Sequence, residues 1–414
     1  MTMSDDSANR DALERVRAVR PILTGLERAD RALGLAEGEL GHAGPPFAPG
    51  VAPPTTVLNA LAGATVHEGW AGDMDSARRM VLDGEIRLRP NHEIGAVSPM
   101  SGVVRPSQML MRMEDAAGGP PGYATLAEKG RLVLRFGHYD ESVAEGLHVL
   151  EHRIAPAIIG ALPPGGLEIW PLVANGVAMG DDVHQRNIGG MLSFIAALPA
   201  LSESLVGWLS GHPQFFLNFA MGAAKMGLDR ARGIAGSSLV TAITRNGVDC
   251  GIQVAGCDGQ WFTAPATIPV GGFYDGFTLA DAHPDLGDSA IMETWGLGGC
   301  IAHTSPEIAR QMGRDWSEAI AGGNAMRALF LGANDVIAPA LAGTAGVGLG
   351  LDAARVAASP ASGVRIHTGI AHRDGISGWI GVGVAEAPKD CFTAAMAALD
   401  AATAKDTEAK EVSA

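Results

Sequence analysis

The chain has 414 residues, of which 47% are hydrophobic and 18% charged, and its formal net charge is −15. This composition excludes a disordered polypeptide, and the acidic balance argues against nucleic acid and anionic membranes as partners. The length predicts roughly two or three domains.

The cysteine usage and the N-terminal sequence both indicate a cytoplasmic protein. Four cysteines are present without a Cys-x-x-Cys pair, which is typical of a reducing compartment. Residues 1–6 are acidic and lack the apolar region of a signal peptide. The most apolar windows, 191–209 and 329–351, contain prolines and acidic residues, so they predict buried core and no membrane span.

The first half of the chain is mainly helical in its periodicity. Residues 8–35 carry apolar side chains at helical spacing, with an interruption at Pro21, and predict a helical segment. Asp73–Leu82 predicts a helix whose cap is Asp73 or Asp75. Four further helices are predicted at residues 141–161, 181–198, 201–210 and 213–232.

The second half changes to strand periodicity. Ser237–Arg245 and Val248–Ala255 flank Asn246-Gly247, which predicts a β-hairpin with a type I′ turn and Arg245 at its exposed tip. Short helices are expected at Asp288–Trp295 and Thr304–Met312, and a C-terminal helix at Cys391–Thr403.

These elements predict an α+β fold, a multi-domain mixed α/β protein with a helical middle domain. The expected segments are an N-terminal helical segment (1–40), an α/β domain (41–140), a helical domain (141–235), an α/β domain with the β-hairpin (236–400) and a flexible tail (401–414).

Common catalytic motifs give little support for other enzyme classes. The sequence has no Walker A run and no G-x-S-x-G elbow. Gly346–Gly350 lacks the spacing of a dinucleotide loop, so close backbone packing is the favoured interpretation. His148 to His152 matches H-x-x-E-H, a zinc pattern, but the absence of a third ligand motif favours a solvated helix face.

Polar clusters in apolar, glycine-rich surroundings carry the candidate chemistry. Gly180–Asn187 is predicted to open a helix, where free N–H groups favour anions. Within it, His184 can polarise a carbonyl and Arg186 can bind a carboxylate or phosphate. The candidate catalytic residues are His184, Arg245, Arg186 and His372, and the candidate substrate-binding residues are His42, Glu68, His92, Asn187, Asn246, Asp288 and Ser289.

The same clusters resemble the AllG (YlbE) family, subunits of oxamate carbamoyltransferase, from about His42 to Ala385. The matching runs are 42–46, 68–71, 96–100, 179–187, 214–218, 241–247, 261–265, 284–291, 349–352 and 368–372. The family has a second His where Glu93 stands and an Asn where Gly95 stands, so the substrate is oxamate or a related amide or ureido acid.

The resemblance implies a carbamoyltransferase that exchanges a carbamoyl group between phosphate and oxamate in allantoin (purine) nitrogen catabolism. It implies no cofactor and no metal, and a homo- or hetero-oligomer with partner subunits similar to AllF (FdrA) and AllH. It also implies a mixed α/β fold with a helical insert.

Residue chemistry within these runs suggests the roles. Arg245 and Arg186 are expected to hold anionic groups with help from the N-terminus of the Asp288 helix, and His184 to polarise the carbonyl or donate a proton. His372, His92 and Glu68 are secondary candidates for proton transfer. Two alternatives remain open: a non-catalytic assembly subunit, and a metal-dependent amidohydrolase built on His148 and His152.

Overall fold

The computed structural model describes residues 6–334, 336–337 and 346–412. Over these residues the chain is 43% helical and 23% strand in several mixed sheets, which confirms the predicted α+β class. None of the described helices is long and apolar enough to span a membrane. The predicted domain limits stay a prediction.

The helices have the following bounds: α1 Asp6–Ala18, α2 Ala29–Leu33, α3 Thr55–His67, α4 Met74–Leu82, α5 Glu141–Val149, α6 Ala155–Gly160, α7 Trp170–Ala178, α8 Ile188–Ala197, α9 Glu203–Ser210, α10 Phe216–Asp229, α11 Ile291–Thr294, α12 Pro306–Gln311, α13 Trp316–Arg327, α14 Ala353–Ala358 and α15 Lys389–Val412. A π-helical turn, Leu150–Ile154, joins α5 to α6.

The strands have the following bounds: β1 Pro21–Arg28, β2 Glu39–His42, β3 Arg87–Pro90, β4 Ala96–Val97, β5 Val103–Val104, β6 Met109–Asp115, β7 Gly122–Thr125, β8 Leu167–Glu168, β9 Val240–Asn246, β10 Asp249–Val254, β11 Phe262–Pro265, β12 Val270–Phe273, β13 Leu286–Gly287, β14 Phe330–Ala333, β15 Gly348–Leu351, β16 Gly363–Ala371 and β17 Trp379–Pro388.

Three of the described sheets position the candidate site. The first has the order β4-β7-β6-β1-β8, the second β11-β10-β9-β13, and the third β12-β17-β16. Helix α10 is buried on all sides from Phe216 to Leu228 and packs between the first sheet and the α11–β9 layer. Because every face of α10 is apolar, the helix forms the centre of the largest core and ties the first two sheets together.

One further contact links the first two sheets. Pro99, in the loop after β4, forms an isolated antiparallel bridge with Gly287 of β13.

A helix cap and the cysteines are two local features of the fold. Asp73 caps α4 by accepting the Ser76 N–H at 2.7 Å, which confirms the predicted cap. The four cysteines are free and buried.

The structure corrects several predicted elements. Residues 21–28 form strand β1, which pairs with β6, so the helical pattern predicted for 8–35 was wrong over this stretch, whereas Asp6–Ala18 and Ala29–Leu33 are helical. Leu23 is fully buried there because the strand lies inside the first sheet. Helix α8 begins only at Ile188, so the segment 181–187 is a turn. Helix α15 continues to Val412, beyond the predicted end at Thr403.

The predicted hairpin is present, but its turn differs. Arg245 pairs with Cys250, and the Asn246 side chain accepts the N–H groups of Val248 at 2.9 Å and Asp249 at 2.8 Å. A type I′ turn requires positive φ at both central residues, and Asn246 does not have it. The turn is buried because Asn246 also donates to the carbonyl of Pro45 at 2.9 Å.

Candidate functional site

The turn that contains Asp182 is the first element of the candidate site. One carboxylate oxygen of Asp182 accepts the backbone N–H groups of His184 at 3.1 Å, Gln185 at 3.0 Å and Arg186 at 2.8 Å. The other carboxylate oxygen accepts a hydrogen bond from Nδ1 of His367 at 2.6 Å. Burial alone would raise the pKa of Asp182, but the hydrogen bonds from His367 and the backbone lower it. The turn is thus organised around an ionised, fully buried carboxylate.

His184 is held by a second buried carboxylate. Its Nδ1 lies 2.8 Å and 3.0 Å from the two oxygens of Glu293 in α11. Glu293 also accepts the N–H of Gly299 at 2.8 Å and of His367 at 3.1 Å. Since a carboxylate accepts hydrogen bonds, Nδ1 carries the proton and Nε2 is left as the basic nitrogen. This histidine–carboxylate pair is the arrangement that orients a general acid or base.

His184 borders a small, partly open cavity of about 30 Å³, hereafter the transfer cavity. Its lining is Pro99, Met100, Arg135, His184, Gln185, Gln214, Leu217, Ser289, Gly369 and Trp379. This volume holds about two waters, so a larger ligand requires the wall to move. The cavity brings a basic nitrogen, a cation, two amides and a hydroxyl around one space.

Backbone strain is concentrated at the same cavity. Met100, with φ 57°, and Val183, with φ 60°, are the two non-glycine residues with positive φ in the described part of the chain. Met100 lines the cavity and Val183 precedes His184. Such a conformation costs about 1–3 kcal/mol, and residues that adopt it cluster at functional sites. For a β-branched residue such as Val183 it is a genuine outlier.

Arg135 is the cation of the transfer cavity. Its Nη2 donates to the carbonyl of Glu128 at 3.2 Å, whereas its buried Nε has no hydrogen-bond partner. Among the described residues, no carboxylate lies within ion-pair distance of this guanidinium. Burial lowers the pKa of Arg135, and the nearby Glu128 charge opposes that shift. A buried guanidinium with unused donors suits an anionic ligand.

Three other polar atoms near the cavity are also buried without a hydrogen-bond partner. They are Ser101 Oγ, Asn187 Oδ1 and Asn218 Oδ1. The amide nitrogen of Asn187 donates to Gln214 at 3.1 Å, and that of Asn218 donates to the carbonyl of Thr125 at 2.7 Å. Each unsatisfied buried group costs about 1–3 kcal/mol, so a ligand or water that bonds to them would recover this cost.

The predicted anion-binding residue Arg245 has a different environment from the one expected. It is 1% exposed, and its Nε donates to Asp285 at 2.6 Å while a second guanidinium nitrogen donates to the same carboxylate at 3.2 Å. Its Nη1 donates to the carbonyl of Gly287. The prediction that Arg245 lies at an exposed hairpin tip was therefore wrong, since β13 pairs with β9 at Arg245 and covers it. Its catalytic role stays a prediction that this geometry does not favour.

Arg186 and His372 do not line the transfer cavity. The Nε of Arg186 lies 3.5 Å from Asp181, on the outer side of the turn. Nδ1 of His372 accepts the N–H of Asp374 at 3.0 Å, and the ring packs edge-on to Phe277. Their predicted catalytic roles remain untested, but neither residue is brought to His184.

His42, His92, Asn246 and Asp288 meet in a neighbouring buried layer. Asp288 accepts hydrogen bonds from Gly44 N at 3.1 Å, Ser98 N at 2.9 Å, Asn91 Nδ2 at 3.0 Å and Thr244 Oγ1. His92 is buried with both ring nitrogens unpartnered, 3.8 Å from Asp288. His42 stacks on Phe47, and burial lowers the pKa of His42 to about 4. This layer joins the first two sheets.

Glu68 belongs to another buried group. It accepts a hydrogen bond from Arg105 at 3.0 Å, and Arg105 also donates to Glu151. Glu151 is the acidic residue of the H-x-x-E-H pattern, and it points to Arg105. His148 and His152 are exposed, with ring centroids 4.4 Å apart. No group of three or more metal-ligating side chains is present in the described ranges.

The structure thus brings His184, Asn187 and Ser289 together, and adds residues that sequence reasoning missed. Glu293, His367 and Arg135 were not predicted, and Gln214 was noted only as part of a matching run. The signal for His367 was its position next to the run 368–372, whereas Arg135 lies in an ordinary apolar segment with no motif.

The fold and the cavity define a mixed α+β protein in which a buried histidine–carboxylate pair and an arginine without an ion pair among the described residues line one cavity. Residues 86–289 match the family model described as oxamate carbamoyltransferase subunit AllG. The chain is 35% identical to the Escherichia coli protein of that name, across 96% of this chain and 98% of the relative. The chain therefore belongs to the AllG family.

Two other relatives support this assignment. An uncharacterized Escherichia coli protein, YahG, is 34% identical across 94% of this chain and 85% of its own length. A crystal structure of a conserved Enterococcus faecalis protein of unknown function matches with a TM-score of 0.89 and 32% identity, covering 95% of this chain and 97% of that one.

Proposed function

We propose that this chain is the subunit of a carbamoyltransferase that carries the acid–base histidine, and that the enzyme exchanges a carbamoyl group between phosphate and oxamate or a closely related amide or ureido acid. The family supports a carbamoyltransferase-related subunit, because a relative covering the whole chain bears that name. The observation that carries the catalytic part is His184, fixed by Glu293 at the wall of the transfer cavity.

The reaction needs three contributions that this cavity can supply. In the phosphorolytic direction, a phosphate oxygen attacks the ureido carbonyl carbon of oxalurate, the carbon–nitrogen bond to the amide breaks, and oxamate leaves with a proton on its nitrogen. We assign this proton transfer to Nε2 of His184, which takes the proton of the attacking hydrogen phosphate and passes it to the leaving nitrogen, since Nδ1 is held by Glu293. In the reverse direction, the same nitrogen removes a proton from the attacking amide.

Arg135 is assigned to the anionic oxygens of phosphate, because its unused Nε and its charge face the same space. Gln185, Gln214 and Ser289 provide neutral donors for the carbonyl oxygen, on which negative charge develops in the transition state. No covalent intermediate is required, since phosphate and amide are both competent nucleophiles when aligned.

The test compares two buried histidines in the enzyme co-purified with its partner subunits. His184→Asn removes the acid–base group, whereas His303→Asn alters a buried histidine outside the cavity whose Nδ1 has no partner. We expect His184→Asn to lower the rate of phosphate-dependent carbamoyl phosphate release from oxalurate by about 10²–10⁴-fold. His303→Asn should stay within a few-fold of wild type.

A non-catalytic assembly subunit is the second candidate. The observation that favours it is the cavity volume of about 30 Å³, too small for two substrates in this conformation. If the His184→Asn complex retains full exchange activity, the chemistry lies on a partner and this second function replaces the first.

A further inference from the structure

A second small chamber lies beside the transfer cavity, and we call it the inner chamber. It measures about 20 Å³, and its polar walls come from Ser98, Arg105, Gln108, Thr125, Glu128, Arg135 and Glu151. Arg135 is the residue that lines both spaces. The two chambers are therefore neighbours separated by one guanidinium and by the loop described next.

The loop 98–102 forms the partition. Ser98 and Gly102 face the inner chamber, whereas Pro99 and Met100 face the transfer cavity. Met100 has the strained φ of 57°, and Ser101 donates its N–H to the carbonyl of Arg135 at 3.0 Å. Because strain persists only where the surroundings impose it, the packing on both sides holds this loop in its strained conformation.

Hydrogen-bond donors converge in the inner chamber. The oxygen of the Gln108 amide accepts Arg105 N–H at 3.1 Å, which leaves the amide NH₂ group for other acceptors. Ser98 and Thr125 hydroxyls bond each other at 2.8 Å, and such a pair keeps one hydroxyl hydrogen for a ligand.

Both carboxylates in the chamber wall, Glu128 and Glu151, are occupied by donors of the protein itself. The Arg105 guanidinium lies in the wall, held from behind by Glu68 and Glu151. The Glu128 carboxylate is occupied by backbone N–H groups, Leu134 at 2.7 Å and Arg135 at 3.2 Å. The groups left free are donors, and a carboxylate is the ligand that accepts from several donors at once.

A larger groove adjoins the inner chamber. It measures about 370 Å³, lies between α5 and α9, and shares Glu128, Leu147 and Leu150 with the inner chamber.

We infer that the inner chamber is the acceptor subsite, which binds the carboxylate of a small amide acid and directs its amide past Arg135 toward His184. Phosphate or the phosphoryl end of carbamoyl phosphate occupies the transfer cavity, and the loop 98–102 moves when both are bound. This inference rests on the proposed carbamoyl exchange and adds to it the location of each substrate.

The test measures the two substrates separately, with oxamate and inorganic phosphate as probes, on the co-purified enzyme. Ser98→Ala and Thr125→Val remove chamber hydroxyls, and Thr241→Val is the matched control, a buried strand threonine outside both chambers. Calorimetric titration gives the dissociation constant of each probe, and initial rates give KM.

We expect Ser98→Ala and Thr125→Val each to raise the dissociation constant and KM of oxamate about tenfold, the effect of one hydrogen bond to a charged group. The values for phosphate should change less than twofold, and Thr241→Val should change neither. Equal effects on both probes, no effect on oxamate, or no oxamate binding to the wild-type enzyme would each overturn the acceptor subsite.

The two proposals fail in different ways. If oxamate binds and weakens as expected but no exchange activity is found, the proposed reaction fails while the subsite stands. If exchange proceeds and the chamber variants leave oxamate kinetics unchanged, the subsite fails while the reaction stands.

Discussion

Two buried polar regions lie close together in this protein and differ in how their hydrogen bonds are used. In the first, which we call the brace, Arg245 and Asp285 form a two-point ion pair, and Asp288 accepts four hydrogen bonds. In the second, the wall of the transfer cavity and the loop behind it, Arg135 Nε and Ser101 Oγ have no hydrogen-bond partner.

This difference distinguishes polar groups that stabilise the fold from polar groups whose hydrogen-bonding capacity is free to bind a ligand. A buried charge whose donors and acceptors are used by the protein has little left for a substrate. A buried polar atom without a partner costs about 1–3 kcal/mol until something binds to it. We therefore assign the brace to stability and the cavity wall to binding and catalysis.

The largest expected effect on stability comes from breaking the brace. Arg245→Met leaves the Asp285 carboxylate buried without its cation, which should lower the free energy of unfolding by about 3–5 kcal/mol. Asp285→Leu in addition should restore part of the loss. Urea unfolding gives both values. If Arg245→Met is as stable as wild type but has lost all exchange activity, Arg245 would have to be assigned to the catalytic site instead.

On the binding side of the comparison, Arg135→Gln is expected to lower activity and leave stability nearly unchanged. Because Arg135 makes no ion pair within the described residues, its loss should change the free energy of unfolding by less than about 1 kcal/mol while lowering the exchange rate about 10²–10³-fold. Arg112→Gln, at an exposed arginine paired with Glu114, is the control and should retain activity. Full activity of Arg135→Gln would place the anion elsewhere.

Asp181 tests an incompletely satisfied carboxylate on the cavity turn. Burial raises the pKa of Asp181 from 3.8 to about 6, so between these values the folded protein holds a proton that the unfolded chain has lost. Stability therefore falls as pH rises through this window, and the unfavourable contribution is complete above pH 6.

Asp181→Asn should consequently stabilise the protein, by about 1–2 kcal/mol more at about pH 8 than at about pH 5. Chemical unfolding at the two pH values measures the difference. Asp275→Asn, at an exposed aspartate, is the control. A gain that is the same at both pH values would show that ionisation of Asp181 is not the cause.

The smallest effect is expected for Ser101→Ala. Removing the unpartnered hydroxyl should raise the free energy of unfolding by about 1 kcal/mol, since no hydrogen bond is lost and one desolvated group disappears. Ser142→Ala, which loses the bond to Asp140 at 2.7 Å, should be neutral or slightly destabilising. Equal losses in both variants would mean that the Ser101 hydroxyl has a partner in solution.

Sequence patterns predicted the local features of this fold and few of its long-range ones. The hairpin around Asn246 and the Asp73 cap depend on neighbours within a few residues, and both were found. The hairpin turn packs against Pro45, which is 201 positions from Asn246. Local sequence patterns therefore could not show that the turn is buried.

The candidate site shows the same division. His184 stood out as a polar residue in an apolar, glycine-rich segment, and in the structure it lines the transfer cavity. Its partner Glu293 is 109 positions away, and the partner of Asp182, His367, is 185 positions away. No sequence pattern indicated Arg135, because its distinguishing feature is a buried Nε without a hydrogen-bond partner. Only the folded structure shows this feature.

The central claim is that the anionic substrate lies against Arg135 and His184, and a crystal structure of the co-purified enzyme with phosphate and oxamate tests it most directly. The account predicts phosphate within hydrogen-bond distance of Arg135 in the transfer cavity, with the loop 98–102 displaced from its position here. Phosphate bound at a partner subunit, or at any site on this chain away from Arg135 and His184, would contradict it.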